Sequence, residues 1–161
     1  LAYTHVAHDC VVGNNVTMAN LATLAGHVVV GDYVGFGGFS AAHQNVRIGH
    51  HAFIGGLSAA FEDVIPYGMI RGTTGALRGL NLIGMKRSGM PRSEIHAVRN
   101  AFKAIFDRSH TMDENMSETE RVFADSPAVQ DVLAFMRSAG HRSFATPWRG
   151  AKVQSDDNGE D

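Results

Sequence analysis

Apolar residues recur at every sixth position through the first 60 residues: Val6, Val12, Met18, Leu24, Val30, Phe36, Ala42, Ile48, Ile54 and Ala60. With somewhat under half of residues apolar in ordinary usage, such an unbroken run arises by chance about once in a thousand trials. The residue two before each is small or β-branched through most of the series: Thr4, Cys10, Val16, Ala22, Val28, Val34, Ser40, Val46, Ala52 and Ser58. Glycine follows the apolar position at Gly13, Gly31, Gly37, Gly49 and Gly55. A helix repeats every 3.6 residues and a lone strand every 2, so neither sustains a period of six. A parallel β-helix does, because each hexad is one short strand plus one corner and stacked coils bury the apolar column. Pro66 takes the next apolar position and is expected to end the series.

Beyond that point the period changes. Ile95, Val98, Phe102 and Ile105 recur at helical spacing and predict a helix over 91–106, with Pro91 near its start where a missing N–H costs nothing. Shorter helices are expected over 113–124 and 127–139, the second with Val129, Val132, Leu133 and Met136 on one side. The expected organisation is mainly β: a β-helix of hexapeptide repeats over 1–70, a connecting loop over 71–90, an α-helical domain over 91–148, and a polar, acidic, disordered tail over 149–161.

Composition narrows the classes. The 161 residues suit one domain with an appendage. Lys and Arg total 14 against 16 Asp and Glu, so the basic excess of a nucleic-acid binder is missing. Cys10 is the single cysteine, which excludes an internal disulfide and a zinc finger and fits a reducing compartment, with the cytoplasm as the expected location. The uncharged stretch 10–31 contains Asn14, Asn15, Asn20 and His27 and is too polar to insert into a membrane. Residues 1–8 lack the basic start and apolar core of a signal peptide. The chain opens on Leu1 and enters the repeat in full register at Thr4, without a polar cap over its strand edges, so it is expected to be the carboxy-terminal piece of a longer protein. Charge is uneven: 71–108 is cationic and 113–131 is acidic.

Six of the nine histidines fall in the first 51 residues. If three hexads make one triangular coil, residues 18 apart stack at roughly 4.8 Å. His8, Gly26 and Gln44 then form one column, Asp9, His27 and Asn45 the next, and Ala7, Ala25 and His43 the one before, so three histidines share a corner. Three readings of that corner are open. The histidines are solvated polar residues, or neutral imidazoles for a metal ion, for which one coil per ligand is wide spacing, or a catalytic group. In the last case His8, as a neutral imidazole, takes a proton from a hydroxyl. Asp9 would orient its ring, and Gly26, lacking a side chain, would expose its backbone N–H as an oxyanion donor, the geometry acyl transfer needs.

The segments HVAHDC (5–10), LAGHV (24–28), AAHQNVRIG (41–49), FIGG (53–56) and GLNLIGMKR (79–87) resemble the acyl carrier protein-dependent UDP-N-acetylglucosamine O-acyltransferase family, over about residues 1–106. The resemblance implies a left-handed parallel β-helix, an exception to right-handed crossovers. It also implies a homotrimer with active sites between subunits, and transfer of a 3-hydroxyacyl group from acyl carrier protein to the 3-hydroxyl of UDP-N-acetylglucosamine, the first step of lipid A biosynthesis. No cofactor is implied, since the donor thioester is a substrate, and no metal is expected at the site. By resemblance His8 is the catalytic base, Asp9 its orienting carboxylate and Gly26 the oxyanion donor. His5, His27, His43 and Gln44 line the sugar and thioester site, Asn81 and Arg87 bind the nucleotide, and Gly56 is the ruler that sets acyl-chain length. Ser88 stands where some relatives carry a second arginine, so a two-arginine clamp is not carried over. The sister N-acyltransferase acting on UDP-3-O-acyl-glucosamine would share the fold and a histidine but is not expected to carry the His43–Gln44 pair or the GMKR segment. Hexad repeats by themselves would equally suit an acetyl-CoA-dependent acetyltransferase or a non-catalytic solenoid scaffold.

Overall fold

A computed structural model describes residues 1–140 and 142–148; the tail over 149–161, expected to be disordered, lies outside the described residues. Ten two-residue strands follow at six-residue intervals: β1 (His5–Val6), β2 (Val11–Val12), β3 (Thr17–Met18), β4 (Thr23–Leu24), β5 (Val29–Val30), β6 (Gly35–Phe36), β7 (Ala41–Ala42), β8 (Arg47–Ile48), β9 (Phe53–Ile54) and β10 (Ala59–Ala60). Each ends on an apolar hexad position, and from β4 onward that residue is buried while its predecessor is not. Pairing is parallel with an 18-residue register (His5↔Thr23, Thr23↔Ala41, Ala41↔Ala59). The strands fall into three sheets, β1-β4-β7-β10, β2-β5-β8, and a third containing β3, β6 and β9, the faces of a triangular prism.

The corners explain the rest of the hexad. The third residue after each apolar position has positive φ, from Tyr3 and Asp9 through to Leu57, and none of these residues is β-branched. A β-branched residue is a true outlier there, whereas Asn, Asp and His accept it most readily. The next residue turns inward: Ala22, Val28, Val34, Ser40, Val46, Ala52 and Ser58 are all buried. Small and β-branched types fit because this position packs inside a tight corner.

Pro66 does not end the coil. Val64 bridges Ile48, and Ile70 of β11 (Gly68–Ile70) pairs with Ile54, both 16 residues on, so the last coil is two residues short and Val64 takes the inward place. Asp63 makes the shortening tolerable. Its carboxylate accepts the Arg47 backbone N–H at 2.8 Å, where regular coils use a carbonyl of the next coil, as in Val29 N to Val46 O. The segment 71–90, expected as a loop, holds β12 (Leu77–Leu80), antiparallel to β11, and α1 (Leu82–Arg87). These elements are short, and Gly79 has positive φ within β12, so no period betrayed them.

Three helices follow: α2 (Arg92–Ile105), α3 (Met112–Val122) and α4 (Pro127–Arg137), within two residues of the expected spans. Thr111 and Glu114 form a capping box on α3, and Ser126 caps α4 ahead of Pro127. Val98, Ala101 and Ile105 of α2 and Val129 and Val132 of α4 converge on Ile65 and Leu80 at the end of the solenoid. Residues 142–148 return along the coil, with bridges Asp63↔Phe144 and Leu77↔Pro147. Among the described residues no helix is long and apolar enough to cross a membrane.

Candidate functional site

The corner between β1 and β2 carries His8 and Asp9; one coil on, the corner between β4 and β5 carries Gly26 and His27. Backbone bonds hold the levels together, His27 N donating to His8 O and Asn45 N to Gly26 O, each at 3.0 Å. His8 Nδ1 lies 2.8 Å from Asp9 Oδ2. An ionised carboxylate only accepts, so Nδ1 carries the proton and Nε2 the lone pair. The hydrogen bond from His8, helped by the charge of a protonated His27, holds the Asp9 carboxyl below its ordinary value. His27 Nε2 is 3.9 Å from Asp9 Oδ2, and the His8 and His27 rings meet edge to face with centroids 5.0 Å apart.

Gly26 is bare for a local reason. A Cβ there would come within 2.7 Å of His8 Nε2, so only glycine lets the imidazole lie against the neighbouring coil. Among the described residues the Gly26 N–H has no hydrogen-bond acceptor, but neither has the N–H of Gly38 at the equivalent corner place. What distinguishes Gly26 is the free Nε2 beside it.

The other expected residues are spread over the prism. His5 is exposed in β1, and His43 and Gln44 are exposed one coil beyond Gly26, with the His43 ring 6.3 Å from Phe61. Asn81 sits by a different corner, between β8 and β9, and is heavily committed. Its N donates to Tyr67 O at 2.7 Å, its Nδ2 to His51 O at 2.8 Å, and its Oδ1 accepts from Gly84 N at 3.0 Å as the cap of α1. Arg87 is exposed in the last turn of α1. Gly56 lies at the third corner, between β9 and β10, where a Cβ would meet only the Gly38 backbone, its O at 3.4 Å and its N at 3.9 Å. In one chain, therefore, the histidine pair, the Asn81 segment and Gly56 occupy three separate corners.

Beside Asn81 the structure assembles a cluster that the hexad pattern did not reveal. The His51 ring stacks between Tyr33 (centroids 4.9 Å) and Tyr67 (5.5 Å), His50 Nδ1 is 3.0 Å from His51 Nδ1, and His50 Nε2 is 3.1 Å from Asp131 of α4. Burial, with the charge of His50, lowers the His51 pKa, and burial pushes the Tyr67 phenol up to about 12. The 18-residue column joining Tyr33 to His51 was readable; Tyr67 was hidden by the shortened coil. Among the described residues His8, Asp9 and His27 also offer one potential metal-ligand atom each, all within 4.8 Å of one another.

Residues 63–145 match the family described as UDP N-acetylglucosamine O-acyltransferase, domain 2, just over half of the chain. The chain belongs to the UDP-N-acetylglucosamine O-acyltransferase family. An acyl-acyl-carrier-protein UDP-N-acetylglucosamine O-acyltransferase of Sinorhizobium fredii is 47% identical over 152 residues, 94% of this chain and 56% of the relative. That of Mesorhizobium japonicum is 54% identical over 147 residues, 91% and 53%. The chain thus spans about half the length of the curated relatives it matches. Among solved structures, an Arabidopsis UDP-N-acetylglucosamine acyltransferase superposes with a TM-score of 0.83 at 39% identity, covering 89% of this chain and 52% of that one. A UDP-N-acetylglucosamine O-acyltransferase from Moraxella catarrhalis gives 0.82 at 32% identity, covering 88% and 55%. The fold of this O-acyltransferase family member is the expected left-handed parallel β-helix.

Proposed function

We propose that this chain carries the acyl-transfer centre of an enzyme that moves a 3-hydroxyacyl group from acyl carrier protein to the 3-hydroxyl of UDP-N-acetylglucosamine, the first step of lipid A biosynthesis. The observation that carries the proposal is the His8 ring, held at Nδ1 by Asp9 with Nε2 free beside Gly26. Nε2 takes the proton of the sugar hydroxyl as its oxygen attacks the thioester carbonyl. The Gly26 N–H meets the developing oxyanion, and the departing carrier thiolate recovers the proton from His8. Asp9 stays ionised and stabilises the imidazolium that forms between the two steps. No cofactor takes part, because the thioester brings its own activation.

The separation of the three corners supports a homotrimer with sites between subunits, in which His5, His8, Asp9, His27, His43 and Gln44 of one subunit face Asn81, Arg87 and Gly56 of another. Arg87, exposed, is placed to meet a diphosphate. Asn81 contributes mainly by fixing α1, since its amide already makes two bonds. The cationic stretch 71–108 suits docking of an acidic carrier protein, and the enzyme would act in the cytoplasm, the reducing compartment that its single cysteine fits. The test is product mass spectrometry after incubation with UDP-N-acetylglucosamine and a series of 3-hydroxyacyl carrier proteins. The expected product is the O-acylated nucleotide sugar, lost on His8→Ala by about 10² to 10⁴ in rate. Near-normal turnover by His8→Ala, or transfer from acetyl-CoA in preference to acyl carrier protein, overturns the reading.

A further inference from the structure

We propose that the His8–Asp9–His27 corner is also a binding site for a zinc ion, and that zinc there shuts off the base. The three donor atoms lie within 4.8 Å of one another on two stacked corners. Ligands of a tetrahedral zinc stand at about 2.0–2.2 Å from the ion and so roughly 3.3 Å apart. The His8 Nδ1 to Asp9 Oδ2 separation is 2.8 Å and the His27 Nε2 to Asp9 Oδ2 separation 3.9 Å. No pair of the three donor atoms is more than 4.8 Å apart, and the side chains that carry them are exposed and can rotate to adjust these separations.

The backbone beneath is fixed. Asp9 (φ 58°) and His27 (φ 61°) hold the same corner conformation, the His27 N–H is bonded to His8 O, and β1 and β4 pair immediately before. The backbone that carries the ligands is thus preorganised, and the outer side of the site is open to water for the fourth position. Two imidazoles and one carboxylate favour zinc over magnesium or calcium, which prefer all-oxygen sites. The other histidine pair lacks such freedom, because the His51 ring is sandwiched by Tyr33 and Tyr67 and the His50 nitrogens face His51 and Asp131.

The effect on the base follows from the tautomer. In the metal-free corner His8 carries its proton on Nδ1 and its lone pair on Nε2. An ion on Nδ1 takes the place of that proton, which moves to Nε2; the imidazole stays neutral and no net proton is released. With Nε2 protonated, His8 donates where it must accept, and Asp9, now a ligand, no longer orients it. The inhibition half of this inference rests on the acyl-transfer reading; the binding half does not.

Zinc chloride is titrated against the protein in competition with a chromophoric chelator at neutral pH, with folding of each variant checked by circular dichroism. One ion per chain is expected, with affinity falling roughly tenfold or more in His27→Ala and Asp9→Asn and unchanged in His50→Gln. Nitrogen-15 NMR of the zinc complex should show His8 metal-bound at Nδ1 and protonated at Nε2. Unchanged affinity in both corner variants, or an unprotonated Nε2 with the ion bound, overturns the proposal. In the transfer assay zinc should abolish turnover and a chelator restore it; full turnover with the corner occupied overturns the inhibition half. If zinc binds as described but no transfer occurs under any condition, the acyl-transfer reading fails while the metal site stands.

Discussion

The His8 imidazole occupies the space that a side chain on Gly26 would need: a Cβ at residue 26 would stand 2.6 Å from His8 Cε1 and 2.7 Å from Nε2. Gly26 has an ordinary φ, so its backbone accepts alanine, and the clash is with an exposed ring that can swing away. Gly26→Ala is therefore expected to keep the fold, with a stability change within about 1 kcal/mol. It should cost about 10² in kcat through loss of the base's alignment, with KM for UDP-N-acetylglucosamine little changed. Thermal melts and steady-state kinetics on one sample separate the two effects; unchanged kcat would mean the contact does not position the base.

Asp63 is the opposite kind of residue, structural and silent in the hexad pattern. It is 2% exposed and accepts from Arg47 Nε at 2.7 Å and the Arg47 backbone N at 2.8 Å, with Arg142 3.4 Å away. Its own backbone pairs with Ser143 O and Ala145 N, tying the returning segment to the shortened coil. Asp63→Ala removes the carboxylate partner of Arg47 and leaves its Nε and backbone N–H without acceptors. Breaking one side of a buried pair costs about 3–5 kcal/mol, which corresponds to a fall in Tm on the order of 10 °C for a chain this size. A melt within a degree or two of wild type would show that the solenoid does not depend on this anchor.

The contrast between these residues marks what a sequence reading reaches. A fixed period of six assigns every residue of the first ten hexads a face or a corner, so His8, Gly26 and His27 could be placed together before any coordinates. The same arithmetic failed once the coil lost two residues, because nothing local to residues 61–63 announces a register change. The change is carried by pairing with Ile48 and Ile54, about sixteen residues earlier, and only tertiary structure records it. Tyr67 and Asp63 were missed for that one reason. Asn81 illustrates a second limit: the resemblance gave it a nucleotide contact, and its three bonds to Tyr67, His51 and Gly84 are visible only once α1 is seen against the corner.

Gly56 gives a prediction about selectivity. Its φ is not positive and a Cβ would make only ordinary contact with Gly38, so the corner itself does not demand glycine. Gly56 and Gly38 carry no side chain at this corner, so an acyl chain laid along it would meet bare backbone. Each methylene buried there is worth about 0.8 kcal/mol, enough to favour long donors of on the order of twelve carbons or more. Gly56→Met should leave the melt unchanged and shift the preferred donor to a shorter chain, read from competition among 3-hydroxyacyl carrier proteins of graded length. An unaltered length profile would remove Gly56 from the acyl site.

Tyr67 predicts a pH response at the alkaline end. Burial against the His50 and His51 rings favours its neutral phenol and raises its pKa from 10.0 to about 12, with the carboxylates of Asp131 and Glu94 adding to the shift. In the unfolded chain the phenol ionises near its ordinary value, so between pH 10 and about 12 the folded state binds more protons than the unfolded one. Its contribution to stability is therefore complete below pH 10 and is lost as pH rises through about 12. His51, held below 6.5 chiefly by burial, acts in the opposite sense: the unfolded chain takes up its proton first, so stability falls as pH drops below that value. Phenolate absorbance should show a step near pH 12 that disappears in Tyr67→Phe, and denaturant midpoints of that variant should fall less steeply above pH 10 than those of wild type. Equal slopes for the two proteins would mean that the stacked column leaves the phenol in water.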